Sequence, residues 1–414
     1  MISKRAFLFM LVLMVPLTVI LTECYTGEDK KPDARGQIFA GSATCVSCHK
    51  NVYNSYIHTA HFETSRPASI ETIHGSFEKG HNVFSFGNGS TVEMQKKTGG
   101  LYQAGFVNGK LTEAKRFDIT IGGGKAETYL YWQGNKLFEL PMSYFSALKS
   151  WTNSPGYDTG RINFTRPIVT RCMECHSSYI NELPNPNISL TNRTVEFDKA
   201  SLIMGIDCER CHGPGANHVN FHTEYPEIKQ AKYMTTIKGL TRQQKLDACA
   251  TCHSGNKDVF NRSAFTFKMG DTLAKWKEHN FAPQNTNPAT LDVHGNQNDL
   301  LASSKCFISS NMDCNSCHNV HQKETGNLAL YSQRCMSCHK TANHNECKLM
   351  PKLGMALKKN CIDCHMPAKP SNLIQVEGSG NKVQVPYLVR THHIAVYPTE
   401  TKKILAFINK QDRR

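Results

Sequence analysis

Short helices and irregular segments wrapped around stacked prosthetic groups, with an antiparallel β insert near the N-terminal third, are what this sequence predicts. Three observations predict it. A pentapeptide, Cys-x-x-Cys-His, occurs seven times in 414 residues. The hydrophobic fraction is 39%, short of the roughly 45–50% of ordinary globular chains, so side chains alone leave a core underfilled. Finally, 122 residues pass between His49 and Cys172 without the pentapeptide, and there apolar and polar residues alternate between turn dipeptides.

Cys-x-x-Cys-His is the attachment signal for a c-type haem. Two thiols add across the two vinyl groups of one porphyrin, so the spacing must put both sulfurs on one side of the ring. The histidine follows directly because its imidazole must reach the iron. The covalent pairs are Cys45 and Cys48, Cys172 and Cys175, Cys208 and Cys211, Cys249 and Cys252, Cys314 and Cys317, Cys335 and Cys338, and Cys361 and Cys364. Their proximal iron ligands are His49, His176, His212, His253, His318, His339 and His365. One copy would also suit a zinc half-site or a redox dithiol; seven copies with the histidine in one place do not. The chain therefore reads as a multihaem cytochrome, mainly α/irregular around stacked haems, with seven covalently bound c-type haems.

The net charge of +14 would suit a polyanionic partner in another chain. Seven haems bring fourteen propionates, two each, so the basic excess reads as counter-charge, and no nucleic acid is expected. Seventeen cysteines less the fourteen of the motifs leave Cys24, Cys306 and Cys347. The last two read as a disulfide or as inert thiols, with thiolate ligation of iron by Cys347 as the rival.

Taken in order, residues 1–24 carry Lys4 and Arg5 before an apolar run from Ala6 to Thr22, the plan of a signal peptide. Cys24 follows a lipoprotein-like outline, so lipidation and an uncleaved anchor stand beside plain cleavage. Either way a periplasmic or outer-surface bacterial location is expected, with membrane association through the N-terminus as one form of it. Residues 25–40 read as a polar tether and 41–79 as a first haem segment, whose helix carries His49, Tyr53 and Tyr56. Residues 80–147 are the β-rich insert, punctuated by Asn88-Gly89, Asn108-Gly109 and Gly134-Asn135. Ile121-Gly122-Gly123-Gly124-Lys125 lacks the spacing of a phosphate loop and reads as a glycine turn.

Residues 148–393 form a six-haem domain with little sheet. Thr241 and Gln244 predict a capping box on the helix that delivers Cys249, and Pro351 predicts the start of a helix running to Cys361. Residues 394–414 read as a basic tail with a short surface helix.

Low-spin haems need a second axial ligand, commonly histidine, and twelve histidines remain outside the motifs. His218 and His321 each follow a proximal histidine closely. His61 ends the first haem helix, His294 sits in a turn, and His393 closes the haem region beside His392. His58 and His344 stand next in line.

The stretches Gly41–Cys45 with Thr59-Ala60-His61, Gly205 to Val219, Asn360 to Pro367, and Arg390-Thr391-His392-His393 resemble a known group. It is the multihaem cytochrome superfamily containing the ammonia-oxidiser tetrahaem cytochromes and hydroxylamine oxidoreductase, in particular longer multihaem cytochromes of Bacteroidetes-like bacteria. The resemblance implies distal ligation by His61, His218, His321 and His393, with His294 beside them, and haems packed in parallel and perpendicular pairs. The long β insert departs from the tetrahaem members, and His392 stands where an acidic residue is usual.

The expected function is electron carriage between respiratory partners, such as a quinol oxidoreductase, other cytochromes or a terminal reductase in anaerobic respiration. The rival is an oxidoreductase of small nitrogen or sulfur species at one five-coordinate haem, with its catalytic residues unnamed. No site reads Cys-x-x-Cys-Lys, which counts against that rival.

Overall fold

The computed structural model describes residues 32–411 except 158–159, 185–193, 256–258, 278–286, 341–345 and 381–383. The leader segment, Cys24 and His344 lie outside the described residues.

The first helix, α1 (Val46–Tyr56), leaves helical geometry at its proximal histidine, His49, with φ −109° and ψ 36°. A run of antiparallel strands follows: β1 (Ser65–Pro67), β2 (Val83–Ser85), β3 (Ser90–Lys97), β4 (Gly100–Val107), β5 (Lys110–Arg116) and β6 (Ile119–Ile121). It continues through β7 (Ala126–Gln133), β8 (Lys136–Glu139), β9 (Met142–Phe145), β10 (Ser150–Asn153) and β11 (Arg166–Pro167). Strands β2 to β5 form one meander, and β1, β6, β7, β8 and β11 line up in a second sheet to which β9 and β10 attach through β7. These strands span 65–167, wider than the 80–147 that the turn dipeptides marked. Turn chemistry explains the meander. Asn108 and Gly109 take φ of 49° and 77° between β4 and β5, the left-handed pair that a two-residue hairpin requires.

Alternation along the strands builds the core. Ser90, Val92 and Met94 of β3 point inward and their neighbours outward. Phe77, Phe117, Tyr129 and Trp151 meet edge to face in the largest apolar cluster. A second cluster joins Ile119, Leu130 and Leu137 of the sheet to Ile168, Met173, Ile180 and Phe197. Met173 lies between two motif cysteines, so the sheet is packed directly against an attachment site.

The motif-rich part is built from short helices: α2 (Thr170–His176), α3 (Cys208–His212), α4 (Ala216–Glu224), α5 (Arg242–His253), α6 (Gln297–Ala302), α7 (Lys305–Ile308) and α8 (Leu328–Met336). Further on are α9 (Met350–Leu353), α10 (Met355–Lys358), α11 (Ile362–His365) and α12 (Pro398–Gln411). The capping box at Thr241 and Gln244 is present on α5. The single helix expected from Pro351 to Cys361 is not. Gly354 takes φ 57° and ψ −139° and divides it into α9 and α10.

A larger correction concerns fold class. Helix makes up about 29% and strand about 26% of the chain, so it is not mainly helical. Sheet also enters the motif-rich region, residues 148–393, as β12 (Ser177–Glu182) paired with β13 (Phe197–Met204) and β14 (Ala368–Glu377) paired with β15 (Gln384–Arg390). Both pairs begin straight after a motif histidine. The chain leaving His176 and His365 is extended, and extended backbone satisfies its hydrogen bonds most readily across a second strand. No described helix is long and apolar enough to cross a membrane.

Glu139, at the end of β8, is 7% exposed and meets Arg166 Nη1 at 3.1 Å. Burial pushes its carboxyl up from 4.5 to about 7, Arg166 opposing only in part. Between those values the folded chain holds a proton that the unfolded chain has lost, so stability falls as pH rises through the window. The span is worth on the order of 3 kcal/mol. Calorimetry should show a melting temperature that declines from pH 4.5 to about 7 and a flatter profile in Glu139→Gln; an equal slope in both would refute the assignment.

Candidate functional site

Each motif lies in or beside a helical turn. Asp207 caps α3, its side chain accepting the Arg210 N–H at 2.8 Å, and Asp313 caps the turn Cys314–Ser316 in the same way. Acidic residues between motif cysteines then stitch neighbouring segments together. Glu174 accepts from the Ser263 hydroxyl at 2.7 Å and the Ala264 N–H at 2.8 Å. Asp363 pairs with Arg390 at 2.6 Å. Glu209 accepts from the N–H groups of Ala40, Gly41 and Gly215 at 2.9, 2.9 and 2.7 Å and from Arg35 at 3.2 Å.

Four motif histidines face a second imidazole. His49 opposes His218 at 6.3 Å between ring centroids, His212 opposes His321 at 6.0 Å, His253 opposes His61 at 6.1 Å, and His318 opposes His392 at 6.2 Å. One metal ion held between two imidazoles needs two bonds of about 2 Å, with each nitrogen roughly 1 Å from its ring centre. That places the centroids about 6 Å apart. The ring planes are within 28° of parallel in three pairs and cross at 87° for His61 and His253.

The protonation state suits ligation. Burial, then the neighbouring His253 and His318, pushes His61 down to about 4. Burial, then His318, does the same for His392, and burial followed by His294 and His253 for His176. These rings are neutral at ordinary pH, the form that binds iron. Oxygen acceptors orient the proximal rings through Nδ1, leaving Nε2 for the metal. They are Thr64 Oγ1 at 3.0 Å for His176, the Thr235 carbonyl at 3.3 Å for His212 and Gln297 Oε1 at 3.3 Å for His253. Tyr331 Oη at 3.4 Å serves His318, and the Ala395 carbonyl at 3.0 Å serves His365. The Lys232 carbonyl, 2.8 Å from Nδ1 of His218, orients a distal ring likewise. On spacing, protonation and orientation the residues present fit haem iron.

The segments that carry the motifs also pack against one another: Cys208–His212 against Ser42–Cys45, Thr170–His176 against Arg242–His253, Arg242–His253 against Cys314–Ser316, and Ile362–His365 against Leu328–Met336. Arg210 donates to the Glu174 carbonyl at 3.2 Å and Arg334 to the Cys317 carbonyl at 2.5 Å. The motif segments therefore run first, third, second, fourth, fifth, sixth, seventh, each touching the next. Cys306, within reach of Cys317, Cys335 and Cys338, and Cys347, within reach of Cys364, are both free thiols.

His61, His218 and His321 are thus each brought to a proximal histidine, and His294 lies near enough to His176 to lower it electrostatically. His393 is not the ring opposite His318; that is His392. The Ser304 hydroxyl accepts the Ile394 N–H at 2.8 Å and reaches the His392 carbonyl at 3.4 Å, which clamps the segment with His392 inward. His393 Nδ1 instead meets the Tyr397 hydroxyl at 2.9 Å. His58 is exposed on the turn after α1. Sequence reasoning missed the orienting oxygens, which come from distant segments and have no local signature.

Among solved structures, the chain is similar to the outer cell wall cytochrome OcwA, with a TM-score of 0.54 and 16% identity over 89% of this chain and 82% of that one. That likeness shows a shared fold, and the fold is one that a multihaem cytochrome uses. No protein-family model matches the chain, and no curated protein matches it.

Proposed function

We propose that this chain is an extracytoplasmic heptahaem cytochrome c that carries electrons between redox partners. The observation that carries the reading is the set of four imidazole pairs at 6.0–6.3 Å, each built from a motif histidine and a histidine distant in sequence or from another motif's segment. The fourteen motif cysteines would hold seven haems, whose iron supplies reversible one-electron chemistry when bound. The chain's part is to fix the imidazoles and exclude water. The packing of each motif segment against the next supports a continuous line of sites, so electrons entering at one end would have a neighbour at every step. A quinol oxidoreductase, another cytochrome or a terminal reductase would fit as partners in anaerobic respiration, in the periplasm or at the outer surface. Membership of the superfamily with the ammonia-oxidiser cytochromes belongs to this proposal and rests on the motifs quoted above.

A second reading has one observation in its favour. Among the described residues no imidazole ring stacks opposite His176 or His365; His294 lies near the first, and the second has its Nδ1 held by the Ala395 carbonyl. An open iron there would suit reduction or oxidation of a small nitrogen or sulfur species. Pyridine haemochrome assay with ferric electron paramagnetic resonance separates the two. The electron carrier predicts seven haems per chain and low-spin signals. A stoichiometric high-spin signal that shifts with nitrite, hydroxylamine or sulfite would favour the enzyme.

A further inference from the structure

We infer that His222 is a second distal ligand for the haem attached at Cys45 and Cys48, exchanging with His218. The inference rests on the haem-binding reading above and concerns how its first site is regulated. His218 and His222 stand one turn apart on α4, so both rings project from one face of the helix. Their centroids are 4.6 Å apart. His218 has its Nδ1 committed to the Lys232 carbonyl and its ring opposite His49. His222 offers the equivalent atom: its Nε2 is buried and has no hydrogen-bond partner. A buried polar nitrogen left unpaired is costly, and coordination to a metal is one of the few ways to relieve it one helical turn from an iron site.

The surroundings permit the exchange. Gly213, with φ 79°, turns the chain into α4, whose first turn is held by Glu209 through the Gly215 N–H at 2.7 Å, so the exchange falls to the side chains and the far end of the helix. Moving one turn along a helix is a shift of about 6 Å, a span that imidazole side-chain rotation shares with a small movement of the helix. One neutral imidazole replaces another, so the iron keeps six ligands and its charge, and no proton, electron or co-reactant is required. Cys48 and His49 are exposed, which puts the exchange at a surface site where a partner's approach can bias it. The two ligand sets would give that haem two potentials while the interior sites keep one.

The test uses haem-loaded protein, with haem content measured by pyridine haemochrome and spin state by ferric electron paramagnetic resonance. His218→Ala is expected to keep all its haems low-spin, because His222 takes over. The double variant His218→Ala/His222→Ala is expected to show one high-spin haem per chain, returned to low-spin by added imidazole, which also reports that the site is intact. A full high-spin signal in His218→Ala alone, at unchanged haem content, would overturn the inference and leave the haem reading standing. A parent protein without covalent haem would overturn both.

Discussion

Produced where haem cannot be attached, the chain is expected to keep its β-sheets and lose order from about residue 206 to 365. The two large apolar clusters draw on residues between Ile73 and Phe197, including Tyr129, Leu140 and Phe197, which are fully buried. Each such side chain contributes about 1.5–3 kcal/mol on burial. Past Ile206 the cluster is small, Ala250, Phe267, Leu273 and Trp276, while ordering the backbone costs about 1–2 kcal/mol per residue. That deficit is what porphyrin faces would cover. Hydrogen exchange on the haem-free chain should therefore find protected amides in β3, β4 and β7 and rapid exchange in α3 to α11. Uniform protection through α11 would show that the second half folds on side chains alone, and would count heavily against haem as its core.

Glu209→Ala is expected to destabilise the haem-loaded protein by about 3–5 kcal/mol, the usual cost of removing one partner from a buried ion pair. Glu209 is 3% exposed and lies in one network with Arg35, Asp33 and Asp207. Truncation leaves three N–H groups, of Ala40, Gly41 and Gly215, without their acceptor. Those groups sit on the two segments that present His49 and His218. The loss should accordingly reach the first haem site before the others, as an early high-spin component during denaturant unfolding. Glu209→Gln retains a carbonyl acceptor but not the charge, and should fall between parent and Ala. An alanine variant within about 0.5 kcal/mol of the parent, the range of ordinary surface substitutions, would mean that the network is replaceable.

Much of this site was legible because its chemistry is local. Two thiols and a histidine must fall within five residues to grip one porphyrin edge and its iron, so every candidate attachment site and candidate proximal ligand is proposed from spacing alone. The capping box at Thr241 and the turn at Asn108-Gly109 were legible for the same reason. The strand pairs β12–β13 and β14–β15 were not. Each depends on a partner strand that sequence places at a distance, and a short extended run after a motif looks like loop until its partner is known.

Local geometry, then, is what the sequence by itself determined: the seven Cys-x-x-Cys-His signals, the capping box at Thr241, the β character of the first third. Tertiary structure alone decided which histidine faces which motif histidine. His61 reaches His253 across 192 positions and His392 reaches His318 across 74. Adjacent side chains on extended backbone point to opposite sides, so only one member of the His392-His393 pair can face inward. The hydroxyl of Ser304, some 90 residues away in sequence, makes that choice. The order of the sites is likewise a tertiary fact. Contacts between non-consecutive motif segments place the third beside the first and the second between the third and the fourth, because close packing is governed by which surfaces fit, and the chain's order constrains that only through loop lengths.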